Sequence, residues 1–277
     1  MSGATVVPQY ICSQINAPSC VSLDLNTTTY LSRSGSLFGL KVDAPYTLAL
    51  LIVSILQTIR MYYNTKKMHA CIGKGEVKYI LLLFITYCFF TIPVINFQNF
   101  IISTSEIFYT ILAAIQIASF STLFFAIFAS GITIDRIHGI MRMTSHVFLS
   151  SMTFFFAAIV FMFSLLGLFI YNYYLFAIII IMNTMSVFLY LITQVRKLKR
   201  IKSDIWAYGI LGIMLFIYTM SLLPMFVGSE LIAVFTEKNL DSFFVFQVFI
   251  TLFVIMYHKY WLSTCDFEIE CLEFKFQ

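Results

Sequence analysis

Charge is what this sequence lacks. Only 11% of its 277 residues are Asp, Glu, Lys or Arg, whereas a fold that meets water on all sides carries about a quarter charged residues. An ordinary soluble protein is excluded on that ground, and most of the surface must face hydrocarbon. Glycine is scarce as well, at 11 residues. The apolar runs are continuous and lack the period-2 alternation that transmembrane β-barrel strands require. The first 43 residues hold no basic stretch followed by an apolar one, so no cleavable signal peptide is expected.

Catalytic equipment is missing too. GxSxG, HExxH and P-loop patterns do not occur. His69, His138, His146 and His258 fall at the ends of apolar runs and form no HxxH pair, so neither a metal centre nor a cofactor is expected. Between Tyr79 and Ile134 the sole charged residue is Glu106, and between Val147 and Val195 there is none. Proton relays and ion pathways need ionisable groups inside the membrane, so the expectation is a non-enzymatic protein. Its intramembrane polar groups are neutral, chiefly Gln57, Asn96, Gln116, Asn183 and Gln247, and such residues hydrogen-bond helix to helix.

What is present is greasiness: 60% hydrophobic residues and a mean hydropathy of +0.91. At about 20 residues per crossing, the apolar blocks place helices at 45–63, 79–99, 108–134, 147–171, 174–194, 205–227 and 243–261. The fold class is therefore an all-α integral membrane protein with seven transmembrane helices. Residues 1–43 form an N-terminal segment, 44–261 the seven-helix domain and 262–277 an acidic tail. Tyr171-Asn172-Tyr173-Tyr174 marks a tight interfacial turn between the fourth and fifth helices.

Basic residues orient the bundle. Arg60, Lys66, Lys67, Lys74, Lys78, Arg136, Arg142, Arg196, Lys197, Lys199, Arg200, Lys202, Lys259 and Lys275 fall on one side, and only Arg33, Lys41 and Lys238 on the other. The positive-inside rule then places the N-terminus in the lumen and the C-terminus in the cytosol. The net charge of +4 is a signal of topology and of contact with the lipid bilayer, not of nucleic-acid binding. Asn26-Thr27-Thr28 is a glycosylation sequon on the lumenal side, so Asn26 is a candidate acceptor. Cys12 and Cys20 share that compartment, where a disulfide is chemically permitted, and are expected to bridge. Cys71, Cys88, Cys265 and Cys271 are expected as reduced thiols, with palmitoylation open to Cys71 and Cys265 near the cytosolic interface.

Three stretches carry a family resemblance. They are Ile11-Cys12-Ser13 with Pro18 and Cys20, the first cytosolic loop from Tyr63-Asn64 to Ile72-Gly73-Lys74-Gly75-Glu76, and the end from Lys259 through Trp261 to Asp266 and Leu272-Glu273-Phe274. Together they resemble the fungal chitin synthase export chaperones, seven-helix proteins of the endoplasmic reticulum. Ala114-Ile115-Gln116-Ile117 resembles a further family segment. Where the family carries a Trp-acidic-Asp-Gly run after the third helix, this chain has Asp135-Arg136-Ile137-His138-Gly139. That element also resembles the Asp-Arg-Tyr of rhodopsin-like receptors, the alternative reading, although NPxxY and the Cys-Trp neighbours of Pro224 are absent.

The resemblance implies a chaperone of the endoplasmic-reticulum membrane that binds a polytopic chitin synthase and promotes its folding and exit, supporting cell-wall synthesis. Candidate contacts are Ile72, Gly73, Lys74, Glu76, Trp261, Asp266, Glu268, Glu270, Glu273 and Phe274. Physically, Gly73 and Gly75 ease a tight loop that holds Glu76 near Lys74 and Lys78. Trp261 is placed to anchor the seventh helix in the headgroups. The tail alternates acidic and apolar residues, a period-2 pattern able to add a strand to a partner such as a vesicle-coat cargo receptor. A Phe-rich helix face is expected to cover the client, with the Gln and Asn residues supplying hydrogen bonds.

Overall fold

Hydrocarbon leaves a backbone amide nothing to bond except its own helix or a closed sheet. Every apolar block is helical in the computed structural model, which describes residues 12, 20, 35–37, 40–67, 73–136, 145–170, 173–201, 205–236 and 240–275. Among these residues, an antiparallel hairpin of β1 (Gly35–Leu37) and β2 (Leu40–Val42) leads into eight helices. They are α1 (Pro45–Lys67), α2 (Lys74–Asn96), α3 (Gln98–Thr104), α4 (Glu106–Arg136), α5 (Ser145–Phe169), α6 (Tyr173–Ile201), α7 (Ile205–Phe235) and α8 (Ser242–Lys275). All but α3, seven helices, are long and apolar enough to cross a membrane.

Most helices run past the ends expected from sequence, the sixth span to Phe235 rather than 227 and the fifth to Ile201 rather than 194, and two differences bear on the fold. The second span runs from Lys74 to Asn96 rather than from 79 to 99, and its former last turn begins α3. The break has a local cause: the Asp43 carboxylate accepts hydrogen bonds from Asn99 Nδ2 at 2.7 Å and Asn99 N at 3.2 Å, and Asp43 N donates to Asn96 O at 3.0 Å. These bonds draw the chain sideways at the membrane surface. α3 packs Ile101 inward and leaves Phe100 out.

The second difference is at the C-terminus. α8 does not stop at 261, and the acidic stretch read as a possible strand is helical through Lys275. No Gly or Pro lies between Trp261 and Lys275 to end the helix. Positions 266, 270 and 273 then share one face. At 34 residues the helix is about 51 Å long, well beyond the roughly 30 Å of hydrocarbon.

α4 packs against α2, α5 and α6, while α8 packs against α7, α1 and α2. Aromatic rings fill the seam between these two groups: Phe124 meets Phe120, Tyr218 and Phe253 at centroid distances of 4.9, 5.7 and 5.8 Å. Phe125 and Phe156 stack at 4.0 Å and hold α5 to α4. Hydrogen bonds then fix register. Along α8, Asp241 Oδ1 accepts from Thr47 Oγ1 at 3.3 Å, Thr251 meets Ser54 at 3.0 Å and His258 Nε2 meets Thr65 Oγ1 at 2.9 Å. The near-constant offset between partners shows that α1 and α8 run parallel. Gln247 accepts from Tyr87 Oη at 2.8 Å and donates to Cys88 Sγ at 3.8 Å, in α2.

Asp241 caps α8 by accepting the Phe244 N–H at 2.9 Å. Burial pushes its carboxyl above the ordinary range, against the lowering pull of the Phe244 amide and the Thr47 hydroxyl. A carboxyl whose pKa is raised on folding contributes stability that is complete below the unfolded value and is lost as pH rises through the folded one. Thermal melts in detergent should therefore show stability falling over that interval as pH rises. Asp241→Asn, which keeps an acceptor for the cap, should flatten the dependence.

Candidate functional site

Basic residues crowd one end of the bundle: Lys66 and Lys67 close α1, Lys74 opens α2, and Lys199 and Arg200 close α6. The connection from α1 to α2 depends on Gly73. It precedes α2 with φ 77° and ψ 10°, in the left-handed region, and its carbonyl accepts from Val77 N at 3.0 Å. A side chain there costs roughly 1–2 kcal/mol, so glycine is what allows α2 to begin at once. Gly75 and Glu76 consequently lie in the first helical turn rather than in a loop. The first turn suits an acid because the helix dipole is positive there, and Glu76 is buried at 5% exposure.

Opposite this turn stands the end of α8. Tyr257, His258, Tyr260 and Trp261 are all buried, and only Lys259 of that run is exposed. His258 lies between Thr65 and the Trp261 ring, whose centroid is 6.0 Å away. Tyr257 meets Ser130 of α4 at 3.3 Å, and the field of Glu76 reaches its hydroxyl. Tyr260 Oη donates to Gln194 Oε1 of α6 at 3.1 Å. Gly131 makes room for that bond, since a Cβ there would sit 2.8 Å from Gln194 Nε2. The result ties α1, α4, α6 and α8 into one lock at the basic end.

Gly73, Glu76 and Trp261 thus come to the same end, with Glu76 and Trp261 buried and Gly73 partly exposed. The interfacial role expected of Trp261 is corrected: its ring is 5% exposed within the main core, and Trp206, 74% exposed at the start of α7, has the exposure an interfacial anchor needs. Lys74 is partly exposed. Ile72 and Asn26 lie outside the described residues, and Asp266, Glu268, Glu270, Glu273 and Phe274 lie on the extension of α8 with side chains outside them. Asp135 and Arg136 end α4, again without described side chains, and Ile137 lies outside the described residues.

Cys12 and Cys20 are disulfide-bonded with a Cα separation of 5.5 Å, and Cys88 is a buried free thiol. Cys71 and Cys271 have no described side chains. Cys265, expected as a reduced or acylated thiol, is instead buried and disulfide-bonded, its partner lying outside the described residues. It follows an odd number of spans after Cys12 and Cys20. Among the described residues no group of three or more His, Cys, Asp or Glu is placed to hold a metal.

Sequence reasoning missed the Thr65–His258, Ser130–Tyr257 and Gln194–Tyr260 pairs and the close approach at Gly131. The available signal was the run Tyr257-His258-Lys259-Tyr260-Trp261, in which one helical turn carries four side chains with both apolar bodies and polar atoms. The intramembrane amides also have a narrower role than expected. Asn96, Gln116, Asn183, Gln194 and Gln247 are all buried, so they are not offered to a partner.

The family model described as chitin synthase export chaperone matches residues 8–273. No curated protein and no solved structure matches the chain. The receptor alternative drawn from Asp135-Arg136-Ile137 finds no support beside that match.

Gly73→Ala should lower stability in detergent by about 1–2 kcal/mol, read as a drop in Tm. Trp261→Ala should cost about 3–5 kcal/mol, because it empties a core site; a surface anchor would lose far less.

Proposed function

The chain belongs to the chitin synthase export chaperone family, and from that premise we propose that it binds a polytopic chitin synthase in the endoplasmic-reticulum membrane and promotes its folding and exit toward the cell surface. The observation that carries this reading is the extent of the family match, residues 8–273, which spans nearly the whole chain. The role is non-catalytic: binding and escort, with no cofactor. The N-terminus faces the lumen, a placement supported by the basic residues on the opposite side.

The geometry fits a protein that offers its outside to another membrane protein. Many of its core polar groups bond to one another between helices, and its outward helix faces are large and apolar. Phe154, Phe155, Ile159 and Phe163 of α5 are each more than half exposed, as are Ile181 of α6 and Phe216 of α7. A client with unfinished packing between its own helices can lie against such faces in place of lipid. The helical extension of α8, with acidic positions 266, 270 and 273 on one face, stands beyond the membrane where a vesicle-coat cargo receptor reads an export signal.

Affinity purification in mild detergent should recover a chitin synthase with this protein, and removing the protein should leave that synthase inside the cell. A purified pair that fails to co-migrate would overturn the reading. Deleting residues 266–277 should slow exit from the endoplasmic reticulum without dissociating the pair; unchanged exit would remove the tail from the proposal.

A further inference from the structure

α1 departs from the other spans in where it keeps its polar groups. Its buried stripe, Thr47, Leu51, Ser54, Thr58, Met61 and Thr65, packs inward and bonds to α8. On the outward side Arg60, Asn64 and Lys67 are exposed at helical spacing i, i+4 and i+7, with Gln57 half-buried one turn earlier. Everywhere else in the described spans an Asn or Gln is buried: Asn96, Gln116, Asn183, Gln194 and Gln247. Outward hydroxyls such as Thr86, Ser186 and Thr219 are met by carbonyls of their own helices. Arg60 and Asn64 have no such provision, for among the described residues neither side chain makes a hydrogen bond or ion pair.

Depth sharpens the point. Tyr63, 58% exposed, has the side chain favoured at the interface, and Arg60 lies about 5 Å deeper along the helix. A solitary Arg there can extend its guanidinium to the headgroups. An amide cannot do so, and Gln57 lies about one turn deeper than Arg60, while Asn64 lies at the level of Tyr63. Acyl chains satisfy neither the Gln57 amide nor the Arg60 guanidinium. A neighbouring helix bearing a carboxylate and a neutral acceptor at matching spacing satisfies both.

We propose that the outward face of α1 from Gln57 to Lys67 docks a transmembrane helix of the client, one whose carboxylate faces Arg60 and whose neutral acceptors face Gln57 and Asn64. This rests on the reading of the protein as a chitin synthase chaperone. It locates the polar contact on α1, apart from the apolar faces of α5, α6 and α7.

The test is capture of chitin synthase by the purified full-length protein in a non-ionic detergent, with and without added anionic phospholipid. The variants are Arg60→Leu with Asn64→Leu, and Phe89→Leu as a control on α2, exposed but assigned no contact with the client. Among the described residues Arg60 and Asn64 have no hydrogen-bond or ion-pair partners, so the double variant should remain monodisperse with an unchanged melting profile. Captured synthase should fall about tenfold or more for the double variant, with or without added lipid, and stay near wild type for Phe89→Leu. Equal capture by wild type and the double variant overturns the inference. Dependence on Arg60 only when anionic lipid is present also overturns it, because the occupant is then a headgroup. If wild type captures no synthase, the chaperone reading itself fails, an outcome distinct from the other two.

Discussion

The bilayer gives a polar side chain no water to bond, and the arrangement of this protein follows from how that demand is met. α8 is where most of the answers converge. Its Asp241, Gln247, Thr251, Tyr257, His258 and Tyr260 reach partners on α1, α2, α4 and α6. Each interhelical bond in a membrane contributes only about 0.6–2 kcal/mol, yet a bond of this kind has few alternatives once lipid surrounds it. The set therefore specifies register more than it adds stability. The aromatic seam around Phe124 then packs the space that the register defines.

Much of this was legible in the sequence because hydrocarbon imposes a simple grammar. Span length and apolarity located all seven crossing helices, and scarcity of charge excluded a soluble fold. Residue 97 was harder, because the break there comes from Asp43 gripping Asn99, a contact 56 positions apart in the chain. The end of α8 was missed for the opposite reason. Without Gly or Pro, a stretch such as Asp266 to Phe274 supports period 2 or period 3.6 equally well on paper, and only continuity with the helix above it decides.

At the basic end the residue types were legible and their direction was not. Gly73, Glu76 and Trp261 stood out as a set, and the structure brings them to one end, but Glu76 and Trp261 face inward. A tryptophan near a membrane boundary serves equally as interfacial anchor or core filler. Which one it becomes depends on whether a neighbour such as His258, with Thr65 behind it, has already closed the space. Glu76 is similar: on a loop it would be a solvated acid, and Gly73 makes it a first-turn residue of α2 by supplying a conformation that other residues resist.

An apolar surface poses a problem for a membrane chaperone that it does not pose in water. Lipid tails are as apolar as Phe154 or Ile181, so covering those side chains with a client gains no hydrophobic free energy. Shape and dispersion favour the contact weakly, and lipid competes for it everywhere in the membrane. Such faces suit shielding: they receive many partial packings of a client and release each without a large barrier. Selectivity has to come from groups that lipid serves badly, which means polar side chains on the outside at membrane depth. The core of this protein has withdrawn nearly all of its amides from that duty, Gln247 and Asn183 among them. The few that remain outward, on α1, are where discrimination between a client and the surrounding lipid has a physical basis.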